Sequence, residues 1–233
     1  MLDQLKKELQ KLANSEKAKD LSRFFKTGKG QYGEGDIFLG VSVPDQRKTA
    51  RKYPNLSLDE IQELLSSKVH EHRLTSLFIL INKYQKSDDK NKKKMFDFYL
   101  KNTKNINNWD LVDSSSSYIV GDYLLNKAEK RTILYKLAES KNLWERRIAV
   151  MSTFAFIKNN EFEDALKIAE ILLNDEYDLI HKAVGWMLRE IGNRNQAEEE
   201  NFLKKHYKKM PRTMLRYAVE KFQKNKKEFY MKK

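Results

Sequence analysis

Cysteine is absent from the 233 residues. That excludes a disulfide framework, a thiol nucleophile and a cysteine-ligated zinc. Proline is nearly absent: there are 3, at Pro44, Pro54 and Pro211, and none between residues 55 and 210. Pro44 and Pro211 each precede a helical pattern, where a missing N–H does no harm. Glycine is scarce and clustered, since five of the 8 fall between Gly28 and Gly40. Long apolar runs are missing as well. Leu77-Phe78-Ile79-Leu80-Ile81 is an uninterrupted stretch of only five, whereas a membrane-spanning helix needs about 20 mostly apolar residues. The first leucines are interleaved with Asp3, Lys6, Lys7 and Glu8, so no signal-peptide core is present. A cytoplasmic protein that does not enter the membrane is the expectation.

What the chain does contain is positive charge. Lys and Arg number 46 against 33 Asp and Glu, a net +13. Such an excess points to a polyanionic partner, nucleic acid first. The excess is uneven: the segment from Lys204 to Lys233 carries twelve Lys/Arg and two Glu. Tyr207, Tyr217, Phe222, Phe229 and Tyr230 interleave with those cations, as expected of a backbone-binding helix and tail over 204–233. Aromatic residues at 11% and a hydrophobic share of 40% argue for a folded core. The length suits one large domain or one repeat array.

Periodicity is helical nearly everywhere. Leu2, Leu5, Leu9 and Leu12 step by three and four. Ser57-Leu58-Asp59-Glu60 is a capping box opening a helix through Leu65. Similar patterns cover 70–85, 88–103, 108–126, 129–139, 143–158, 162–173, 177–191, 196–207 and 211–223. Only Ile37 to Val43 reads as extended, inside a Gly-rich loop at 27–41 that is expected to be flexible. The class is all-α. Arg73, Arg147, Lys182 and Arg216 occupy comparable helix positions, spaced by roughly 35 residues or twice that. Asp110, with Asp113 one turn later, fills the gap. Such a period predicts stacked helix pairs forming a HEAT-like solenoid across 1–233, curved, with a basic concave face built from the second helices.

Several constellations carry no chemistry. Gly28-Lys29-Gly30-Gln31-Tyr32-Gly33 fits GxGxxG literally but lacks the strand before it and the helix directly after. His70-Glu71-His72 places two histidines on different sides of a helix, and His181 and His206 lack ligand-spaced carboxylates. No metal is expected. The tryptophans are more informative. Trp186 lies about 120° from the centre of the apolar stripe Ile180, Ala183, Val184, Met187, Leu188, Ile191. Lys182 and Arg189 flank it, so it is a candidate contact to a nucleic-acid sugar or base. Trp109 and Asp113 are four apart on one helical face. Arg147 lies on the flank of the stripe Trp144, Ile148, Met151, Ala155, where its stem can snorkel and its guanidinium reach a phosphate.

These residues resemble a known family. Asn108-Trp109-Asp110-Leu111-Val112-Asp113, Leu143-Trp144-Glu145-Arg146-Arg147, the segment Lys182 to Glu190 and the segment Met210 to Ala218 are similar, in order and spacing, to the AlkD-type DNA alkylation repair proteins. The likeness runs from about Leu21 to Phe222. It implies a HEAT-like solenoid acting on double-stranded DNA as a monomer. The implied activity is a monofunctional N-glycosylase, without metal or cofactor, for cationic N3-alkyladenine and N7-alkylguanine. The resemblance assigns Asp113 as the catalytic aspartate, Trp109 and Trp186 as the pair on the lesion's deoxyribose, and Arg147 as a backbone contact. Phe24 stands where the best-known members have tyrosine, so a hydroxyl is lost and stacking is kept. Lys182, Arg189, Arg73 and Arg216 complete the expected DNA-binding set. Two other readings fit the same composition: a non-catalytic DNA-binding solenoid, which needs the cations but not Asp113, and a protein–protein scaffold, which needs an apolar groove.

Overall fold

Apolar residues repeating at helical spacing give helices wherever caps define their ends, and a computed structural model describes such helices across residues 1–232. The chain clusters into two compact units, Met1–Ser115 and Ser116–Lys233.

The first unit holds α1 (Leu2–Lys11), α2 (Ser15–Phe24), α3 (Val43–Lys52), α4 (Leu58–Leu65), α5 (His70–Gln85), α6 (Asp89–Lys101) and α7 (Trp109–Asp113). Side-chain caps fix the starts of most of them. Asn14, Ser42 and Asp88 accept from backbone N–H groups of α2, α3 and α6, and Ser57 with Glu60 forms the capping box of α4. Each cap satisfies donors that a helix start otherwise leaves unpaired. The core is α5, whose Leu74, Leu77, Phe78, Ile79, Leu80 and Ile81 are all buried. It packs against α3, α4, α6 and α7, so an all-round apolar segment has a neighbour on every side.

The Gly-rich loop is held rather than free. Its descending arm forms one parallel bridge, Ile37 to Val69, with Ile37 N–H donating to Lys68 O at 3.0 Å and His70 N–H to Ile37 O at 2.8 Å. The buried carboxylate of Glu71 accepts from the N–H groups of Leu39 at 2.9 Å, Gly40 at 2.8 Å and Val41 at 3.3 Å. Three donors on one carboxylate satisfy a buried charge. Gly40 is required there: its φ is +83°, and a Cβ would lie 2.1 Å from Asn14 O.

The second unit opens with a π turn at Ser117–Gly121. There follow α8 (Asp122–Leu125), α9 (Thr132–Ala138), α10 (Leu143–Ser152), α11 (Phe154–Lys158), α12 (Glu163–Ile171), α13 (Asp178–Gly192), α14 (Gln196–His206), α15 (Arg212–Ala218) and α16 (Lys224–Met231). Here α10, α13 and α15 pack in succession, with α9 laid on α10 and α12 and α14 on α13. That is the stacking of a helical-repeat solenoid. Gly185 permits it: a Cβ there would sit 2.4 Å from Met214 O, so α13 approaches α15 through bare backbone.

Two long helices expected from periodicity are broken. The 108–126 pattern splits into α7, the π turn and α8, because it contains Ser114-Ser115-Ser116-Ser117. The Ser115 hydroxyl donates to Leu111 O at 2.5 Å. The 143–158 pattern breaks at Thr153, where Ser152 donates to Ile148 O and Thr153 to Val150 O, both at 2.6 Å. Short hydroxyls that bond backbone carbonyls bend helices.

Candidate active site

Asn108 is buried in an extended conformation and caps α7 by accepting from Trp109 N–H at 2.8 Å. One turn of helix then places Trp109 and Asp113 on one face, both half-buried, while Asp110, Leu111 and Val112 turn inward. The helix is only five residues long, so tertiary contacts must fix it.

The inward face supplies them. His70 lies between two carboxylates, with Asp110 Oδ2 at 2.7 Å from Nε2 and Asp36 Oδ2 at 3.0 Å from Nδ1. Arg73 donates to the same Asp36 oxygen at 2.6 Å, and Asn108 reaches it at 3.5 Å. Burial opposes the charge on His70, but the hydrogen bonds to Asp110 and Asp36 outweigh it and hold the imidazole's pKa above its ordinary value. Burial likewise opposes charge on Asp36, yet His70 and Arg73 keep its carboxyl below the usual range. The loop end, the start of α5 and the start of α7 are thus joined by one ionic network. Just after α7, Tyr99 Oη lies 2.8 Å from the Ser115 hydroxyl.

Aromatic packing steadies the indole. Phe25 stacks on Trp109 with centroids 5.1 Å apart and planes 5° from parallel, and Phe38 stacks on Phe25 at 5.0 Å. Phe24 is 64% exposed and meets Trp109 edge-on at 5.9 Å. A half-exposed tryptophan with a carboxylate one turn away, on a rigid base, is suited to packing against a sugar and presenting negative charge to a developing cation.

In the second unit Trp186 stands outside the buried stripe of α13, which comprises the six residues expected for it and Gly185. Its Nε1 donates to Glu190 at 3.0 Å, and its ring lies 6.3 Å from Phe154. The flanking cations hold carboxylates: Lys182 pairs with Asp178 at 2.7 Å, and Arg189 with Glu220. Arg216 is exposed beside the Tyr217 ring.

Two expected surface cations are interior. Arg73 is 5% exposed, with its guanidinium on Asp36 and on Ser67 O. It serves the ionic network instead of a phosphate. Arg147 is 4% exposed, and its Nη1 donates to Leu179 O, joining α10 to the start of α13. Sequence reasoning missed Asp36, His70, Glu71 and Phe25. The available signal was a charged His-Glu-His-Arg opening on a helix apolar all round, which demands buried partners. Among the described residues no group of three or more His, Asp or Glu is arranged to hold a metal, and no helix is long and apolar enough to cross a membrane.

A family model described as DNA alkylation repair enzyme matches residues 5–222. A solved structure titled as a predicted DNA alkylation repair enzyme from Enterococcus faecalis is similar in fold, with a TM-score of 0.68 at 16% identity over 91% of this chain and 97% of that one. No curated protein matches significantly.

Proposed function

Because the chain belongs to the DNA alkylation repair enzyme family, we propose that it is a monofunctional DNA N-glycosylase releasing cationic alkylated purines, N3-alkyladenine and N7-alkylguanine, from duplex DNA. The observation that carries this reading is the half-exposed pair Trp109 and Asp113, one turn apart on a short helix fixed from beneath by His70 and Asp110.

Glycoside hydrolysis ordinarily uses an acid for the leaving group and a carboxylate opposite it. An N3- or N7-alkylated purine is already cationic and departs without an acid. One carboxylate beside the oxocarbenium-like sugar is then sufficient. Asp113 stabilises the sugar cation and takes a proton from the attacking water. The C1′–N bond breaks, its electron pair goes to the base, and water supplies the new C1′–O bond. Trp109 packs on the deoxyribose beside Asp113 and excludes solvent, which strengthens the attraction between Asp113 and the cation. Lys182, Arg189 and Arg216 hold duplex phosphates. Lys182 already shares its charge with Asp178, but an exposed ion pair contributes little and yields readily to a phosphate.

Single-turnover release of 7-methylguanine from a duplex oligonucleotide tests the proposal, with wild type and Asp113→Asn side by side. We expect release by wild type and a loss of about 10²–10³-fold or more in the variant. No release by either protein, with salt-dependent DNA binding retained, would leave a binding protein and discard the enzyme.

A further inference from the structure

Asp113 sits on a helix of five residues, and so short a helix takes its position from what it rests on. Two contacts fix its first turn. Asp110 Oδ1 accepts from Leu111 N–H at 2.8 Å, while Oδ2 lies 2.7 Å from His70 Nε2. Asn108, the cap of α7, reaches Asp36 Oδ2 at 3.5 Å, and that same oxygen lies 3.0 Å from His70 Nδ1. Both contacts converge on one imidazole ring.

The ring is closed off from water. His70 is 2% exposed, with the rings of Phe25 and Phe38 at 5.0 and 4.6 Å. The ionisable groups that face it are Asp110 from α7, Asp36 from the loop and Arg73 from its own helix. Glu71, next to it on α5, turns to the N–H groups of Leu39, Gly40 and Val41. Lys17 and Asp20 of α2 border the neighbouring cavity at an exposed edge.

Two carboxylate oxygens at these distances call for two donors. A neutral imidazole carries one N–H, and the imidazolium carries two. Only the charged ring can hold Asp110 and Asp36 at once. When the proton leaves, one oxygen faces a lone pair instead of a donor and moves away. Either loss reaches α7, because Asp110 belongs to the helix and Asp36 holds its cap. Arg73 keeps its bond to Asp36, but it reaches neither Asp110 nor the ring nitrogen that faces it.

We propose that His70 is a positioning residue for base excision: its imidazolium, by holding Asp110 and Asp36 together, sets α7 so that Asp113 meets the sugar cation, and excision slows when the ring gives up its proton. This role rests on the glycosylase reading above. His70 acts through Asp110 and Asn108, not on the substrate.

Single-turnover release of N3-methyladenine from duplex DNA, at saturating protein and from about pH 6 upward, compares wild type, His70→Gln and Asp110→Asn. Any titration of the lesion is common to all three and drops out of their rate ratios. NMR of the carbon-bound ring protons follows the titration of His70 itself. Glutamine at position 70 carries no charge and pairs with one carboxylate at a time. We expect His70→Gln to release base about tenfold or more slowly than wild type at about pH 6, with duplex affinity unchanged. That deficit should shrink as the wild-type ring loses its proton. Asp110→Asn is the sharper variant. Its amide oxygen can keep Leu111 N–H, and its NH₂ can donate to Nε2 of a neutral ring, which leaves Nδ1–H for Asp36. These bonds no longer need the extra proton, so the ratio of Asp110→Asn to wild-type release should rise along the titration curve of His70. Release by His70→Gln equal to wild type, a deficit that lies in duplex affinity instead of release, or a ratio for Asp110→Asn that stays level with pH overturns the proposal and leaves the glycosylase standing. No release by wild type at any pH overturns the glycosylase reading, and this role with it. If His70→Gln does not fold, Asp110→Asn decides the question.

Discussion

His70 has no role in the expected chemistry, yet the helix carrying Trp109 and Asp113 rests on it. Removing the imidazole leaves Asp36 and Asp110 facing each other in the interior with Arg73 as the remaining cation. Breaking a buried ion pair on one side costs about 3–5 kcal/mol, and we expect His70→Ala to lose about 3 kcal/mol in urea unfolding. The pH dependence has a definite sign. The folded pKa of His70 lies above its ordinary 6.5, so the stabilisation is fully present below about pH 6.5 and is lost as pH rises through the folded value. The gap between wild type and His70→Ala should therefore be widest near pH 6 and narrow as pH rises through the folded value. A gap that is constant with pH would mean that His70 acts only by filling space. The same residue shows where the sequence is silent. Trp109 and Asp113 were legible as an i, i+4 pair, and Trp186 as an indole off its stripe. Asp36, His70 and Asp110 were not legible as a unit, because their distance along the chain hides a contact that folding alone creates.

Helices were the easiest features to read, and their ends and breaks the hardest. The 70–85 pattern coincides with α5, and 196–207 overruns α14 by one residue. The serine and threonine breaks at 114–117 and 152–153 escaped the periodicity, since apolar spacing carries no information on hydroxyls competing for backbone carbonyls. Arg73, Arg147, Lys182 and Arg216 each fall at the fourth or fifth position of a helix, but position does not fix exposure: two of the four are buried. Two predictions belong to this scale. Gly185→Ala forces a methyl to within 2.4 Å of Met214 O, and overpacking of this kind costs about 1–3 kcal/mol. Chemical denaturation checks it; a neutral result would mean that α13 and α15 separate freely. Glu199 on α14 is 1% exposed with Oε1 unpaired, and burial pushes its carboxyl up to about 9. The folded chain then keeps a proton that the unfolded chain has released, so stability falls as pH rises from about 4.5 toward 9. Glu199→Gln should raise the thermal midpoint at pH 8, have little effect at pH 4.5, and flatten the slope between. An unchanged slope would mean that Glu199 ionises normally.

Across the whole chain the net charge is +13, and the thirty residues from Lys204 carry most of it. Two origins of that excess predict different physics. If it is only the solubility of a lysine-rich terminus, DNA affinity is nearly indifferent to it. If these cations lie along a duplex, each contact releases a counterion, and log affinity falls with log salt by about 0.9 per phosphate neutralised. Lys208 and Lys209 are exposed just before α15, and among the described residues neither side chain makes a hydrogen bond or ion pair. Their replacement by glutamine leaves the buried residues of α14 and α15 untouched. We expect Lys208→Gln/Lys209→Gln to reduce the salt slope of binding to undamaged duplex by about 2, with proportionally weaker affinity at low salt than at high. Fluorescence anisotropy between 50 and 300 mM salt measures both. Because the effect is sequence-independent, it should be equal on alkylated and intact DNA, so the ratio of release rates on different lesions stays fixed while all of them slow at subsaturating enzyme. A slope that does not move removes Lys208 and Lys209 from the DNA interface and leaves the contacts to Lys182, Arg189 and Arg216. A slope near zero for wild type itself excludes a phosphate-binding surface and favours a scaffold for other proteins.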